Sequence, residues 1–542
     1  MRPTTAALFT AAIVTTFTWT AEAVAASPQT PDDFGSPVAT TSWSSAGNGA
    51  SDHHNAPFEL LINPFTVPKL RPRWVFTANG EVWGTPTVEG NAVYASDTGG
   101  SVWRIDARSG RPVWEIKLSA YTGIATSFSR VSPAIGKDTI IIGDQASATI
   151  FAISKETGAL VWKTTLATNR LAFITSSPTL VNGRIYVGVA SDQEVGAVEI
   201  PGFKIDFRGS VAALDLNDGK IVWTYTVPAG YTGGAVWSSN LPVDSRRRAI
   251  YADTGNNYSV PDAVAACQLR ATTNAQLDAC LDPNDHIDSV LSLDIDTGAV
   301  KWADRFTHAD NYTDSCPGLT PTPATPCPLP AGVDSDFGAA PNLLTIHSEG
   351  TERDVVGAGQ KTGVYWELDR DTGKILWGTQ VGPGGHYGGI EYGTATDGER
   401  IYVPEGNFAY VETTLYPSGK KTNGGYWSAL DPATGRILWQ TPTTDLAIDT
   451  PFAGTPYAAP AGGLSGAYGS VSVADGVMFG EDQAGTFVAL DTANGKTLFS
   501  FKSGGASISG PAIAAGSVYW SSGYRNLGPT NNKIYAFGFG RW

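Results

Sequence analysis

The most regular feature of the chain is a phrase of apolar and polar positions that recurs along most of its length. Each copy has an apolar pair, an acidic or polar residue, a turn that ends in Gly, and an apolar run that closes on an aromatic residue. Seven complete copies close on Trp114, Trp162, Trp223, Trp302, Trp377, Trp439 and Phe499. Such self-similarity indicates a repeat architecture, in which one supersecondary unit packs against copies of itself.

Each copy of the phrase predicts a β-hairpin. The apolar runs have the length of strands, an Asp or Thr in the turn accepts backbone hydrogen bonds, and Gly supplies a positive φ. A second pair of strands precedes the hairpin, as in Gly84–Val88 and Asn91–Ala95. Four strands per repeat form one blade of a β-propeller.

The two ends of the chain complement each other. An eighth copy begins at Lys533 and is cut short by the C-terminus, while Trp74 stands alone before the first complete copy. Successive closing positions from Trp74 to Phe499 are 40, 48, 61, 79, 75, 62 and 60 residues apart. The first two spacings have the length of propeller blades, and the excess in the later ones is expected to form loops. We therefore expect an all-β, eight-bladed propeller of four-stranded antiparallel blades, closed by an N-terminal strand that leaves no free sheet edge. The closing Trp rings are expected to pack between neighbouring blades.

Composition and charge narrow the choice of partners. Hydrophobic residues make up 42% and charged residues 16% of the 542 positions, so global disorder is excluded. The formal net charge of −15 repels a nucleic-acid backbone, which makes nucleic acid an unsuitable partner. A cation and a small neutral substrate remain compatible with this surface.

The first 26 residues have the pattern of an export signal. Met1-Arg2 supplies the positive start, Ala6–Trp19 is apolar, and Ala23–Ala25 has the small-x-small form of a cleavage site. The apolar stretch is too short to span a bilayer, which needs roughly 20 residues. The expected organisation is a signal peptide at 1–26, an N-terminal extension at 27–66 and the propeller at 67–542. We expect a secreted or periplasmic protein with no membrane span.

Four cysteines follow the signal segment, an even number that suits an oxidising compartment. We expect the disulfides Cys267–Cys280 and Cys316–Cys327 in preference to the two other pairings. Zinc is the competing interpretation, but neither pair has the short gap of a metal knuckle. No C-x-x-C-H motif occurs, so no covalently attached haem is expected.

Six stretches outside the repeat phrase carry a resemblance to a known family. They are Trp237–Asn240, Thr254–Ser259, Asp282–Asn284, Asp334–Gly338, Gly359–Gly363 and Gly382–Gly385. With the repeat, they resemble the quinoprotein alcohol dehydrogenases, most closely the polyvinyl alcohol dehydrogenases and their haem-free relatives, over roughly Pro68–Phe539. The resemblance implies that pyrroloquinoline quinone (PQQ) and a divalent cation, Ca²⁺, bind in the central channel. Outer-membrane assembly propellers, which are not enzymes, share the turn repeat.

The resemblance also implies roles for individual residues. Glu194 and Asn256 match the family's calcium ligands, and carboxylate and amide oxygens are the donors that a hard cation prefers. Trp237 matches a ring that stacks on the quinone, and Arg130 and Lys361 match cations that hold its carboxylates or its quinone oxygen. The matched hydroxyl donors are Thr175 and Ser191. A solvated loop acid at Glu194 and a turn residue at Asn256 are the structural alternatives.

The expected catalytic base is the point at which the sequence departs from the family. Such dehydrogenases carry an Asp after an aromatic residue, and Thr313 occupies the position expected here. A threonine hydroxyl is too weak a base near neutral pH. Asp310, Asp314 and Asp336 are the candidates to replace it, and each also fits the role of a solvated loop acid.

The sequence thus favours a secreted quinoprotein oxidoreductase. Its substrate would be a small or polymeric alcohol, and its electrons would pass to an external acceptor. The alternative is an inactive propeller that binds a protein or a polymer, which Thr313 favours and the retained Glu194, Asn256, Trp237 and Lys361 oppose. A pair of channel carboxylates for glycoside hydrolysis is a further chemistry that the sequence leaves open.

Overall fold

The structure is a computed structural model that describes residues 42–238, 240–316, 325–348, 350–444 and 463–540. Its strands form an eight-bladed β-propeller of four-stranded antiparallel sheets, which confirms the predicted fold. The predicted signal peptide lies outside the described residues. Arg71–Thr77 pairs with Lys533–Gly538, so the N-terminal strand completes the last blade, as the complementary ends predicted.

The four strands of each blade follow one another along the chain, except in blade 8, where the N-terminal strand is the outermost. From blade 1 to blade 4 they are Thr87–Glu89, Ala92–Ser96, Ser101–Asp106 and Pro112–Lys117; Ala134–Ile135, Thr139–Gly143, Ala148–Ser154 and Leu160–Ala167; Thr179–Val181, Arg184–Ser191, Ser210–Asp215 and Ile221–Thr226; Val243–Asp244, Ala249–Asp253, Ser289–Asp294 and Val300–Arg305. From blade 5 to blade 8 they are Ala339–Ser348, Thr351–Gly359, Val364–Asp369 and Ile375–Gln380; Ala395–Thr396, Ile401–Glu405, Tyr426–Leu430 and Ile437–Pro442; Ser472–Ala474, Val477–Glu481, Thr486–Asp491 and Thr497–Lys502; Ala512–Ala514, Ser517–Ser522, Lys533–Gly538 and Arg71–Thr77.

Shorter elements decorate the blades. The additional strands are Ser42–Trp43, Ala172–Phe173, Thr232–Gly233, Asn257–Ser259, Thr413–Thr414 and Lys421–Thr422. The helices are Ser119–Thr122, Gln193–Glu199, Asp262–Gln268 and Asn274–Cys280, with a 3₁₀ turn at Val67–Lys69. The first strands of the blades lie around the channel, and most of them contact the first strand of the next blade. In the part of the chain that the structure describes, no helix has the length and apolar character needed to cross a bilayer.

The closing Trp residues join neighbouring blades, as predicted. Each indole N–H donates to a backbone carbonyl in the hairpin turn of the next blade; the pairs are Trp74–Ala107, Trp114–Lys155, Trp162–Leu216, Trp223–Ile295, Trp302–Arg370, Trp377–Pro432 and Trp439–Thr492. Phe499 lacks this donor and packs instead against Phe537 of blade 8, with ring centroids 5.6 Å apart. One repeated residue thus fixes the contact between successive blades.

Replacing Gly298 by Ala is expected to lower stability, because its turn receives the Trp223 ring. Gly298 has φ +71°, and a Cβ there would lie 2.4 Å from Trp223 Cε3. The left-handed backbone costs an L-residue roughly 1–2 kcal/mol, and overpacking adds about 1–3 kcal/mol. Gly183 is a matched control, because it has φ +75° and no atom lies within 4 Å of the position that a Cβ would take. Thermal unfolding should show a clearly larger loss for Gly298→Ala than for Gly183→Ala, and equal losses would contradict this role of the ring.

Residues 42–56 form a plug that crosses the central channel. Ser42–Trp43 pairs with the first strand of blade 1. The carbonyls of Ser44, Ala50, Ser51, His53 and His54 accept N–H groups of Ile135, Val243, Leu343, Thr396 and Val473, in blades 2, 4, 5, 6 and 7, at 2.8–3.0 Å. The chain then leaves past blade 8, where Glu59 Oε2 accepts the Gly516 N–H at 2.8 Å. A segment that the sequence indicated only as an extension therefore links the inner strands of several blades.

Both predicted disulfides are confirmed. Cys267–Cys280 joins the helices Asp262–Gln268 and Asn274–Cys280, and Cys316–Cys327 closes the loop that follows blade 4. The two insertions contact each other, since Asn311 Nδ2 donates to Gln268 Oε1 at 2.9 Å. Disulfides of this kind fit an exported protein.

Candidate active site

An axial cavity lies at the centre of the propeller. All eight blades and the plug contribute to its wall, which includes Thr85, Arg130, Thr175, Trp237, Gly338, Tyr392, Ser470, Ser509 and His54. Three of the predicted cofactor residues, Arg130, Thr175 and Trp237, therefore share one cavity. The blades deliver these side chains from the segments that lead into their first strands, so the ring geometry brings together residues far apart in sequence.

Asp336 is the hub of a hydrogen-bonded cluster at Trp237. Its Oδ2 accepts the Trp237 Nε1–H at 2.8 Å, and its Oδ1 accepts the backbone N–H of Asn256 at 2.7 Å. Lys361 Nζ lies 3.5 Å from Asp336 Oδ2, 2.8 Å from Asp334 Oδ1 and 5.3 Å from the Trp237 ring centroid. The structure thus unites four of the residues that the sequence singled out, Trp237, Asn256, Asp336 and Lys361.

Lys361 is a buried ammonium held by two carboxylates. Burial alone would lower its pKa, but Asp334 and Asp336 outweigh that effect and raise the pKa well above its usual value. A buried charge is stable only when it is paired and hydrogen-bonded. Lys361 therefore stays charged beside the Trp237 ring, where it can hold an anionic or carbonyl oxygen of a ligand.

Glu194 lies in a region with excess negative charge. It belongs to the first turn of the helix Gln193–Glu199. Removal from solvent raises the pKa of Glu194. The negative charges of Asp334, Asp314 and Asp336 raise the pKa of Glu194 further, and the positive charge of Lys361 lowers it. Four carboxyl groups against one ammonium leave a demand for positive charge that a bound cation would meet.

The Asn256 side chain is oriented as a ligand would require. Its Nδ2 donates to the carbonyls of Asn257 and Tyr312, at 3.0 and 2.9 Å. These bonds turn Oδ1 the other way, and this buried oxygen has no hydrogen-bond partner within the described ranges. An unpartnered amide oxygen on a residue that contacts Asp336 fits a hard cation. In those same ranges, no three His, Cys, Asp or Glu side chains converge as a metal cluster by themselves, so an amide or other oxygen would have to contribute.

The three candidate bases have different surroundings. Asp310 accepts the backbone N–H groups of Val333, Asp334 and Ser335 at 2.9, 3.1 and 2.6 Å, so its carboxylate anchors the loop that carries Asp336. Burial raises the pKa of Asp314 to about 6, against the effect of Lys361. Asp336 alone of the three contacts Trp237 and Asn256. The hydroxyl of Thr313 pairs with that of Ser315 at 2.6 Å.

The predicted hydroxyl donors and Arg130 lie around this cluster. Thr175 Oγ1 donates to the Trp237 carbonyl at 3.3 Å, and the Ser191 carbonyl accepts the Tyr258 hydroxyl at 3.3 Å. Ser191 is not among the residues that line the axial cavity. The Arg130 guanidinium lies 5.9 Å from the centroid of the Tyr392 ring.

Sequence reasoning missed three contributors, Asp334, Tyr392 and His54. Asp334 belongs to the stretch Asp334–Gly338, and the one feature that could have identified it is a second carboxylate two residues before Asp336. Tyr392 and His54 carry no local signal, because only the closed ring and the plug bring them to the cavity.

Comparison with known proteins finds two polyvinylalcohol dehydrogenases among the relatives of this chain. The protein from Sphingopyxis sp. (strain 113P3) is 31% identical over 539 residues, which cover 92% of this chain and 74% of the relative. The protein from Pseudomonas sp. is 29% identical over 523 residues, which cover 90% of this chain and 74% of the relative. A family profile described as outer membrane protein assembly factor BamB matches residues 71–204 and 423–537.

Solved structures show the same architecture. The crystal structure of quinohemoprotein alcohol dehydrogenase from Comamonas testosteroni superposes with a TM-score of 0.67 and 18% identity, covering 93% of this chain and 82% of that one. At this identity the likeness establishes the fold, while the sequence relatives establish the family.

Proposed function

Since this chain belongs to the polyvinyl alcohol dehydrogenase family, whose members are alcohol oxidoreductases, we propose that it is an exported enzyme that oxidises an alcohol with bound PQQ and Ca²⁺. The observation that carries the proposal is the Asp336 cluster, in which a carboxylate, an indole, an orphaned amide and a buried ammonium meet beside an axial cavity. A propeller that served only as a scaffold would have no use for a buried, charged Lys361 at this position.

Glu194 and Asn256 would hold the cation. Glu194 supplies a carboxylate from the start of a helix, and Asn256 supplies the oxygen that its Nδ2 bonds leave free. The donor set contains only oxygen, which suits Ca²⁺ and other hard cations. The surplus of negative charge around Lys361 supports the same role.

Trp237, Arg130, Lys361 and Thr175 would hold the cofactor. The Trp237 ring offers a flat apolar face, and Lys361 and Arg130 offer positive charge for a ligand that carries three carboxylates. Among the described residues Arg130 forms no ion pair at contact distance, although its charge lowers the pKa of Asp192 and of Glu391. A carboxylate of the cofactor could therefore pair with it directly. PQQ, when bound, supplies the two-electron oxidation that no side chain provides.

Asp336 would act as the base that removes the proton of the substrate hydroxyl. The Trp237 Nε1–H and the Asn256 N–H fix the orientation of its carboxylate, and Asp310 fixes the preceding loop. A base must sit within hydrogen-bond reach of the proton that it takes. Asp336 does not itself line the axial cavity, but its carboxylate contacts Trp237, which does. It would meet this condition for an alcohol bound beside Trp237, and would then replace the function missing at Thr313.

Export and electron transfer complete the proposal. The signal-like residues 1–26 and the two disulfides support an extracytoplasmic location. Electrons would pass to a separate acceptor. The substrate is a small or polymeric alcohol.

An activity assay tests the proposal. The purified protein, loaded with PQQ and Ca²⁺, is expected to reduce an artificial dye with primary, secondary or polymeric alcohols, and to lose that activity when either PQQ or Ca²⁺ is omitted. Dye reduction that requires neither component would contradict the cofactor assignment. Binding of both without turnover of any alcohol would favour the alternative of an inactive, ligand-binding propeller.

A further inference from the structure

The plug brings a histidine into the wall of the axial cavity. His54 is 1% exposed and lines the same space as Arg130, Thr175 and Trp237. The plug holds it firmly, because the His54 N–H donates to the Gly47 carbonyl at 3.0 Å and the His54 carbonyl accepts the Val473 N–H at 2.8 Å. No repeat or motif in the blades contributes this side chain.

Asp52 stands behind the His54 ring. Asp52 Oδ1 lies 3.2 Å from His54 Nε2, and both side chains are buried. Neither ring nitrogen has an aligned hydrogen-bond partner in the part of the chain that the structure describes. Burial raises the pKa of the Asp52 carboxyl, and the neighbouring His54 lowers it.

The backbone of the plug is strained at this pair. Asp52 has φ +57° and His54 has φ +49°, values that L-residues adopt at an energetic cost. Gly47 permits the arrangement, because a Cβ there would lie 1.7 Å from Asp52 Oδ1. Strain of this kind persists where the surrounding structure imposes it, and it clusters at ligand sites.

The surroundings of His54 suit an anion. Arg130 lines the same cavity without a carboxylate partner among the described residues, and the hydroxyls of Thr175 and Ser470 lie in the same wall. Gly393 keeps the approach to His54 open, because a Cβ there would lie 3.1 Å from His54 Cε1 and 2.7 Å from Ser470 Oγ. The Thr175 and Ser470 hydroxyls donate to the carbonyls of Trp237 and Tyr392. The donors that the described wall offers are therefore the nitrogens of Arg130 and His54, and the wall holds no carboxylate, which matches a carboxylate ligand.

We propose that His54 is a cofactor-binding residue, whose ring donates a hydrogen bond to a carboxylate of the bound quinone while Asp52 holds the opposite nitrogen. This inference rests on the proposed function. A ring between two carboxylates donates from both nitrogens, as in other sites where a carboxylate fixes the orientation of a histidine. The plug is then part of the cofactor site, and cofactor binding stabilises the plug in the channel.

Titration of the apo-protein with PQQ in the presence of Ca²⁺, followed by cofactor absorbance, tests this inference. His54→Ala is expected to weaken PQQ binding about 10-fold or more, the loss typical of a charge-assisted hydrogen bond. Asp52→Asn is expected to weaken it less, since the ring remains. The matched control is His347→Ala, because the His347 side chain is 60% exposed and does not line the cavity, and its PQQ affinity should equal that of the wild type.

Hydrogen exchange of the plug gives a second readout. Adding PQQ and Ca²⁺ should slow amide exchange within residues 44–56 of the wild type and not of His54→Ala. If His54→Ala fails to fold, as judged by its thermal unfolding without cofactor, His54→Gln replaces it and should show a loss intermediate between wild type and the Ala variant.

The outcomes separate the two hypotheses. Wild-type affinity in both His54 variants, or unchanged exchange in the plug of the wild type, would overturn the role of His54 and leave the proposed function standing. Failure of the wild-type protein itself to bind PQQ would overturn the proposed function, and the inference about His54 with it.

Discussion

Replacing Asp336 by Asn should lower kcat for alcohol oxidation by about 10²–10⁴-fold, the usual contribution of a positioned general base. The variant keeps an oxygen that accepts one of the two hydrogen bonds from Trp237 and Asn256, so the loop should stay in place. PQQ binding should therefore change much less than turnover. The measurement is dye-coupled kcat together with PQQ affinity for the same preparation.

Asp314→Asn is the matched control for this prediction. Asp314 is also a partly buried carboxyl near Lys361, but it contacts neither Trp237 nor Asn256. We expect its kcat to stay within about one order of magnitude of the wild type, below the loss that a missing base produces. A large loss in Asp314→Asn with near-normal kcat in Asp336→Asn would assign the base to Asp314 instead.

Replacing Glu194 by Gln should lower the affinity for the cation by about 10- to 100-fold or more, the range seen even for indirect partners of metal sites. The amide keeps the shape of the side chain and removes its charge, while Asp334, Asp314 and Asp336 remain. The variant should release PQQ on dialysis at a Ca²⁺ concentration that retains it in the wild type. The measurement is PQQ retained per protein across a series of Ca²⁺ concentrations.

Glu199→Gln is the control, since Glu199 lies at the far end of the same helix, Gln193–Glu199, with an exposed side chain. It removes the same charge from the same element and should retain PQQ as the wild type does. If Glu194→Gln retained as much PQQ as the wild type, Glu194 would be excluded as a ligand. If Glu194→Gln and Glu199→Gln lost the same amount of PQQ, the loss would indicate a general effect of helix charge.

The sequence predicts most of the fold because the fold is built from local, repeated chemistry. Each turn Gly supplies a positive φ, each closing Trp reaches the next blade, and the partial copies at Trp74 and Lys533 predict ring closure. These signals lie within one repeat or between neighbours along the chain. The disulfides are also local, with separations of 13 and 11 residues.

The plug could not be predicted in the same way. Residues 42–56 have no period, and their backbone hydrogen bonds go to single residues in five blades whose sequence positions span Ile135 to Val473. Nothing in Asp52 or His54 indicates such partners. Only the assembled ring offers a channel for this segment to occupy.

The candidate site could be predicted from the sequence only in part. Family resemblance identified Trp237, Asn256 and Lys361, and the structure brings them together. The choice of a catalytic base among the aspartates required the structure, because Asp310 and Asp336 lie on separate loops. These loops meet where Asp310 accepts the backbone N–H groups that precede Asp336. Spacing along the chain placed Thr313 at the position expected for the base. Spacing carries no information about the contact that joins Asp310 to Val333–Ser335.

Binding of PQQ to the purified apo-protein, with and without Ca²⁺, tests the central claim most directly. Cofactor absorbance would be followed as PQQ is added, and bound PQQ counted after removal of the free cofactor. If the proposed function is correct, one PQQ binds per chain and is retained only when Ca²⁺ is present. Failure to bind PQQ at any Ca²⁺ concentration would contradict it, and would leave a closed propeller whose likeness to the dehydrogenases is architectural.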